Sequence, residues 1–460
     1  MAHKKTVYIL GAGASASAGI PTQAGILPLI FSINRNTFEI SQFGSDILSL
    51  SVDERLQRIA DYYDHFDLFR QTIGEFVISN FSSVKMSLQY KALLQKANSI
   101  QVTSAETQEE KESILLNAYN IVKSVDVALE DVFTIFDSVA TGREHFRLYS
   151  PNIMDELHKK LKMCIIYALS VAIATCKEPN DYSEFCTFLV EKRLAAKAKD
   201  DPFSIITTNW DDLLERKIYD YCEQKNKVLS PWQQKTLLDL CFYNYDLSNN
   251  SGHIPSTQVK AKGHRNIKVL KMHGSLAWLE CPRCNRIFTD FSNEIASEEF
   301  SEIQCPLCSR EQENCEGIPK LRNLIITPTF LKSLDNLNIK NIWQNAFIDI
   351  NEANEVVFIG YSLPDADFEM RCLLKKAIRQ DAKVTVILRQ SSNPERIKKE
   401  YISHGYSTDD ATRMIGKMDL PSRRYATFFG EDRVNFYYKG FRDYIESLKG
   451  ADNEQKRNEQ

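Results

Sequence analysis

Two cysteine pairs carry the strongest chemical signal in the chain. Cys281-Pro282-Arg283-Cys284 is followed, after twenty residues, by Cys305-Pro306-Leu307-Cys308. Knuckles at this spacing deliver four thiolates to one tetrahedral zinc ion, and a four-thiolate shell leaves no coordination position for water. The metal expected here is therefore structural. Cys315 is a spare thiol nearby, and the remaining cysteines are scattered as core residues would be. Three other motifs share a different pattern, an apolar run that breaks into polar residues. Thr207-Thr208-Asn209-Trp210-Asp211 presents an amide and a carboxylate two residues apart, His273-Gly274-Ser275 an imidazole beside a glycine that would leave room for a ligand, and Gly360-Tyr361-Ser362 a hydroxyl ahead of a helix. Ligands of open α/β sheets sit outside the carboxyl ends of the strands, where all three motifs fall. Each residue also has a plain structural use. Asn209, Asp211 or Ser362 could cap the helix that follows, and a lone histidine is commonly a satisfied structural residue. Of the eight histidines, only His273 ends a strand in this way.

Such groups need an anion-holding element opposite them. The stretch from Val7 to Pro21 (VYILGAGASASAGIP) supplies one: a short buried strand, two glycines, then a helix of tiny residues. Gly11 and Gly13 permit positive φ angles and close backbone approach, and a helix N-terminus favours negative charge. The full dinucleotide fingerprint has a third glycine where this chain has Ala16.

The elements that must hold these motifs follow from composition and periodicity. A chain of 460 residues is long enough for two or three structural units. Its net charge of −4 argues against general nucleic-acid binding, which normally needs a concentrated basic surface. The longest apolar run, Met163 to Cys176, falls short of the roughly 20 residues that span a bilayer, so no membrane span is expected. Eleven cysteines, four of them in tight pairs, suit a reducing compartment such as the cytoplasm. From about residue 31 to 200 apolar residues recur at helical spacing, for example Leu56, Ile59, Tyr63, Phe66, Ile73 and Val77. Ser150-Pro151 starts one such helix and Ser183 another, while the polar stretch Gln101 to Lys111 reads as a loop. Continuous apolar runs then return at 203–208, 267–272, 323–327, 355–360, 383–388 and 433–438, as expected of strands buried on both faces of a parallel sheet. The expected fold class is α/β: a doubly wound, Rossmann-like parallel sheet with a large helical insertion and a small four-cysteine zinc module. Its core parts are residues 1–30, 201–277 and 319–448, with the insertion at 31–200, the zinc module at 278–318 and a flexible tail at 449–460. Cys241 to Gly263 reads as an irregular loop.

Taken in order, these motifs resemble the Sir2 (sirtuin) family of NAD-dependent enzymes. The glycine cradle with Gly19-Ile20-Pro21, Thr207-x-Asn209-x-Asp211, His273-Gly274, the two cysteine knuckles and Gly360-x-Ser362 follow one another as they do there. The likeness covers roughly residues 5–24 and 200–445 and does not account for the helical insertion. It implies NAD+ as substrate, with Ala12, Gly13, Ser15 and Ile20 lining its site and Gly360 and Ser362 on the adenosine side. It further implies that Asp211 holds the nicotinamide carboxamide, that Asn209 holds the nicotinamide ribose and the reacting water, and that His273 is the general base. Three departures stand out. Pro21 is followed by Thr22-Gln23-Ala24 instead of Asp-Phe-Arg; Ile326 to Leu331 (ITPTFL) stands where deacetylating members carry Phe-Gly-Glu; and a block of some 170 residues is inserted. These departures match divergent Sir2-like proteins of bacterial anti-phage defence, which hydrolyse NAD+ to nicotinamide and ADP-ribose. The resemblance thus implies a regulated NAD+ glycohydrolase, with a protein-lysine deacylase or a silent NAD/ADP-ribose sensor as alternatives. The insertion would cover the substrate groove, build a homo-oligomer or meet a defence partner.

Overall fold

The apolar run before the glycine cradle forms the centre of the main sheet. The structure, a computed structural model, describes residues 4–40, 51–176, 181–197, 200–226, 240–241, 245–246, 267–289, 303–311, 317–332, 334 and 336–458. Its strands in chain order are β1 (Thr6–Leu10), β2 (Phe203–Thr207), β3 (Leu240–Cys241), β4 (Tyr245–Asp246), β5 (Ile267–Lys271), β6 (Gly274–Glu280), β7 (Ile287–Thr289), β8 (Arg322–Ile325), β9 (Glu355–Ile359), β10 (Lys383–Ile387) and β11 (Val434–Tyr437). Seven of them form a parallel sheet in the order β11-β10-β9-β1-β2-β5-β3. Val7 to Leu10 are fully buried, because helices cover both faces of this sheet. From β1 the order runs to β2 and β5 on one side and to β9, β10 and β11 on the other. The crevice between the carboxyl ends of β1 and β9 is therefore the topological switch point, where open α/β sheets bind ligands.

A smaller sheet, β4-β7-β6-β8, sits beside the main one, with β6 antiparallel to β7 and β8. Its strands run from Tyr245 to Ile325 and so take in residues on both sides of the expected 278–318 module. Most of the inserted residues form helices: α1 (Ala12–Ser15) closes the cradle, then come α2 (Gln23–Ile30), α3 (Arg35–Ile40), α4 (Val52–Phe81), α5 (Val84–Ser99), α6 (Ala105–Lys123), α7 (Leu129–Gly142) and α8 (Pro151–Ala174). Helices α2 to α8 share one core, in which Phe38, Phe66, Phe76, Tyr119, Phe133 and Tyr167 are buried together. The buried Arg70 reaches the carbonyl oxygens of Ile30 and Ile33, fastening the end of α2 to the bundle.

The stretch 101–111 is not a loop throughout. Ser104 and Thr107 close a capping box that starts α6 at Ala105, whose first turns are polar because they face solvent. As expected, Ser150 caps α8 and Pro151 occupies its first turn. The following helix, α9 (Asp181–Ala195), starts two residues before Ser183. It packs Phe185, Phe188 and Leu189 onto Tyr8 and Phe203 of the main sheet, so it belongs to the sheet and not to the bundle. Helices α10 (Leu213–Asn226), α11 (Leu337–Glu352), α12 (Phe368–Ala377) and α13 (Phe441–Asn458) complete the part used below. Helix α13 runs through the residues expected as a tail from 449, since no proline follows Gly450 to stop it. Cys315 and most of Cys241 to Gly263 lie outside the described residues. No described helix is long and apolar enough to cross a membrane.

Candidate functional site

The cradle works by close approach and not by positive φ. Gly11 has φ −118°, an ordinary extended value. A Cβ there would lie 2.5 Å from the Tyr361 Cα, and one on Gly13 would lie 2.8 Å from the Gly360 carbonyl oxygen. The turn after β9 thus presses directly on the turn after β1, joined by the hydrogen bond from Gly13 N–H to Gly360 O at 2.9 Å. Gly360 itself has φ +63°, and a Cβ on it would come within 2.0 Å of the Ala14 nitrogen. Only glycine fits.

A cavity of about 430 Å³ opens over this contact. Ala12, Gly13, Ile20, Asn209, Asp211, His273, Gly360 and Ser362 all line it, from turns after four different strands. Ser15 lies behind the wall and ties two of them together. Its hydroxyl donates to Asp211 Oδ2 (2.9 Å) and accepts from Asn209 Nδ2 (2.9 Å), which also reaches the Tyr182 hydroxyl at 3.2 Å. The Ser15 hydrogen has the Asp211 carboxylate as its nearer acceptor and the Tyr182 hydroxyl as its farther one, at 3.4 Å; toward Asn209 Ser15 accepts, and this fixes the Asn209 amide with Oδ1 on the other side. That Oδ1 is buried and has no partner. An orphaned buried acceptor costs about 1–3 kcal/mol, the kind of cost carried at sites that meet a ligand. Burial pushes the Asp211 carboxyl up, opposed by the Lys271 charge and the Ser15 hydroxyl. Asp211 Oδ1 also accepts from Leu213 N–H at 3.4 Å, so the residue caps α10 and faces the cavity at once.

Across the cavity the groups are ionic. His273 Nε2 lies 3.2 Å from Asp367 Oδ1, Lys332 Nζ bonds the same oxygen, and the Tyr361 hydroxyl donates to Asp367 Oδ2 at 2.7 Å. Lys332 Nζ is also 3.5 Å from His273 Nε2. Burial alone would raise the Asp367 carboxyl; the charges and hydrogen bonds of His273 and Lys332 outweigh it and hold it well below the usual carboxylate range. The backbone fixes the imidazole too, since Ile326 N–H donates to His273 O at 2.8 Å. Gly274 does not make room for a ligand, as its place in the sequence suggested. At φ +76° it lets β6 pass β8, where a Cβ would meet the Leu324 carbonyl oxygen at 2.1 Å. Ser362 lines the cavity but does not cap α12, whose N-cap is Asp367.

The model of one family, the SIR2-like domain, matches residues 204–409. The chain thus carries a match to the SIR2-like domain over this segment. Among solved structures it is similar to a Sir2 homolog in complex with NAD, at 13% identity over 97% of this chain and 90% of that one, with a TM-score of 0.34. It is also similar to a Sir2 homologue mutant in complex with ADP-ribose, at 13% identity over 97% and 93% of the two chains, with a TM-score of 0.35. No curated protein sequence matches it.

Outside this cavity, the four cysteines converge as their spacing predicts. Their sulfur atoms lie within 4.8 Å of one another, with Cys281 to Cys308 at 3.8 Å and Cys284 to Cys305 at 3.9 Å. Four sulfurs at about 2.3 Å from a tetrahedral zinc would be about 3.8 Å apart, so the donor set fits zinc. The Cys284 and Cys308 N–H groups donate to the first sulfur of each knuckle at 3.5 Å. A second acidic cluster, Asp201, Asp349 and Glu352, already surrounds the Lys5 ammonium at 2.6, 2.7 and 3.1 Å. It is an ion-pair knot at the far end of the sheet.

Sequence reasoning missed Asp367, Lys332, Tyr361, Tyr182 and Glu130. Asp367 was within reach, as a carboxylate five residues after Ser362. Lys332, Tyr182 and Glu130 come from a loop and two helices remote in sequence, and no local pattern marks them. Glu130, in the first turn of α7, brings a carboxylate from the insertion into the cavity wall, where burial pushes it up.

Proposed function

We propose that this chain is a Sir2-type NAD+ glycohydrolase that cleaves NAD+ to nicotinamide and ADP-ribose. The observation that carries hydrolysis over lysine deacylation is the seat of the insertion. Thr134 of α7 accepts from Phe330 N–H at 3.2 Å and lies 3.4 Å from the Thr329 hydroxyl, while Glu130 and Leu169 enter the cavity wall. The bundle thus grips the segment 327–331, which stands where deacetylating sirtuins carry Phe-Gly-Glu. Water, and not a peptide side chain, is the nucleophile such a covered cavity favours.

In this reading the crevice at Gly13 and Gly360 takes the pyrophosphate, with Ala12, Ile20 and Ser362 around it. Asp211 receives the carboxamide and orients the nicotinamide ring. The bond from ribose C1′ to the ring nitrogen breaks with its electron pair leaving on nicotinamide, and an oxocarbenium-like ribose forms. The free Oδ1 of Asn209 holds the attacking water against C1′, and dipoles fixed in advance stabilise the developing charge without reorganising. His273 takes the proton released as the water adds, and the Asp367 carboxylate steadies the resulting imidazolium. The zinc site has the four-thiolate set of a closed structural centre and stands outside this sequence.

Supply of NAD+ alone to the purified protein, then with an acetyl-lysine peptide, tests the reading through nicotinamide release. Steady release without peptide supports it; release only with peptide overturns it. We further propose that the activity serves NAD depletion in anti-phage defence, in the cytoplasm. Support for that compartment comes from Cys164, Cys176, Cys186 and Cys372, which are free thiols, and from the two knuckles, whose sulfurs converge as a metal site. The bundle, which exposes Leu68, Val84, Leu88 and Leu148, is the surface for a homo-oligomer or a defence partner. Phage challenge of cells carrying wild type or Asn209→Ala, with intracellular NAD+ measured, tests the role.

A further inference from the structure

A second cavity, of about 350 Å³, adjoins the first and shares Gly13, Gly360, Tyr361 and Ser362 with it. It lies over the carboxyl ends of β9, β10 and β11, opposite the half of the sheet that carries Asn209 and His273. A dinucleotide whose reactive ribose faces Asn209 and whose pyrophosphate crosses the Gly13–Gly360 contact must therefore place its other nucleoside here. Three cations line this cavity. Arg442 is neutralised by Asp181 at 3.0 Å. Arg389 and Lys439 form no ion pair or side-chain hydrogen bond among the described residues. They stand two residues beyond Ile387 and Tyr437, which are directly paired, just past the ends of both strands, and both line this cavity. Two like charges on one wall repel, and an anion between them removes the cost.

The position of the pair identifies the anion. At about 4.8 Å per strand, β10 and β11 lie about 10 and 14 Å across the sheet from β1, beyond the pyrophosphate crevice and at the level of a ribose. Ser392 and Ser17 add hydroxyl donors to the same wall. A basic residue at the adenosine ribose is the usual accommodation for a 2′-phosphate, where a carboxylate accommodates a free 2′-hydroxyl. The carboxylate on this wall, Asp181, is already bound to Arg442. We infer that this cavity binds a 2′-phosphorylated adenosine, making NADP+ the preferred substrate. The inference rests on the glycohydrolase reading for its chemistry but not for its binding.

The test has two arms on the full chain. In turnover, wild type should show kcat/KM about tenfold or more higher with NADP+ than with NAD+, and Arg389→Ala and Lys439→Ala should each lower that ratio by about tenfold, the worth of one charge-assisted contact. Equal values for the two substrates, or variants that weaken both equally, would show the cations serving only the pyrophosphate and would overturn the inference. In calorimetry, 2′-phospho-ADP-ribose should bind about tenfold tighter than ADP-ribose. If neither dinucleotide is cleaved while this preference holds, the hydrolase reading fails and the assignment of a 2′-phosphate site to this cavity stands. Cleavage of both at equal efficiency, with equal binding, upholds the hydrolase reading and overturns the inference.

Discussion

Two buried polar clusters face each other across the main cavity, and they are held by different physics. Asn209, Ser15, Tyr182 and Asp211 are joined by hydrogen bonds whose directions are fixed by donor and acceptor count. Asp367 and Lys332 are joined by charge, with His273 and Tyr361 each adding a contact to the same carboxylate. The first cluster aims a single acceptor through directed hydrogen bonds. The second carries charge, and its partners hold Asp367 ionised to lower pH than Asp211, whose carboxyl burial pushes up. One cavity can thus combine a rigid positioning wall with a charged one.

Breaking the positioning wall should cost most. Asn209→Ala is expected to reduce nicotinamide release by about a thousandfold while leaving the thermal transition close to wild type, as for loss of a preorganised group at developing charge. An active Asn209→Ala protein would remove that wall from the mechanism.

Asp367→Asn attacks the ionic wall. Activity should fall by about a hundredfold, within the range for general-base catalysis. Leaving Lys332 without this partner should cost about 3–5 kcal/mol of stability, the usual cost of breaking a buried pair. The pH sign is definite. The Asp367 carboxyl is held below its ordinary range, so its contribution is complete above the unfolded value near pH 4 and is lost as pH falls through the folded value. Denaturant unfolding followed against pH should show wild type losing stability in acid where Asp367→Asn stays flatter. Parallel curves would mean that the pair does not form.

Zinc tests how the ionic wall is mounted. Cys281→Ser and Cys305→Ser should each lose one equivalent of zinc and lower the melting temperature, since site formation is coupled to folding. Unchanged metal content by mass spectrometry would exclude the four-cysteine site. Because His273 leads directly into β6, whose end carries Cys281, activity should fall along with the zinc. The smallest effect belongs to Ser15→Ala. Asn209 keeps its bond to Tyr182, so a loss of about tenfold or less is expected.

Much of this arrangement was legible in the sequence. Strands buried on both faces read as continuous apolar runs, the knuckles carry their own spacing, and Asn209, Asp211 and His273 follow strands that end in the same way. What escaped was nonlocal. Tyr182 meets Asn209 only because α9 lies on the sheet instead of in the bundle. Lys332 reaches Asp367 from a loop with no pattern of its own. The reason for two glycines was also hidden. Gly11 and Gly13 read as positive-φ positions that let a phosphate approach, whereas the structure uses them to let two turns touch. At Gly274 an apparent clearance for a ligand proved to be the close pairing of two antiparallel strands.

The direction of the hydrogen bonds around Ser15 has a further consequence. A serine whose only proton is spoken for, set between an amide and a carboxylate, is an insulator: no proton can travel along it toward Asn209. In the proposed mechanism the proton released by the water goes to the imidazole of His273, and the solvent isotope effect on turnover should vanish from the residual activity of a His273→Ala protein.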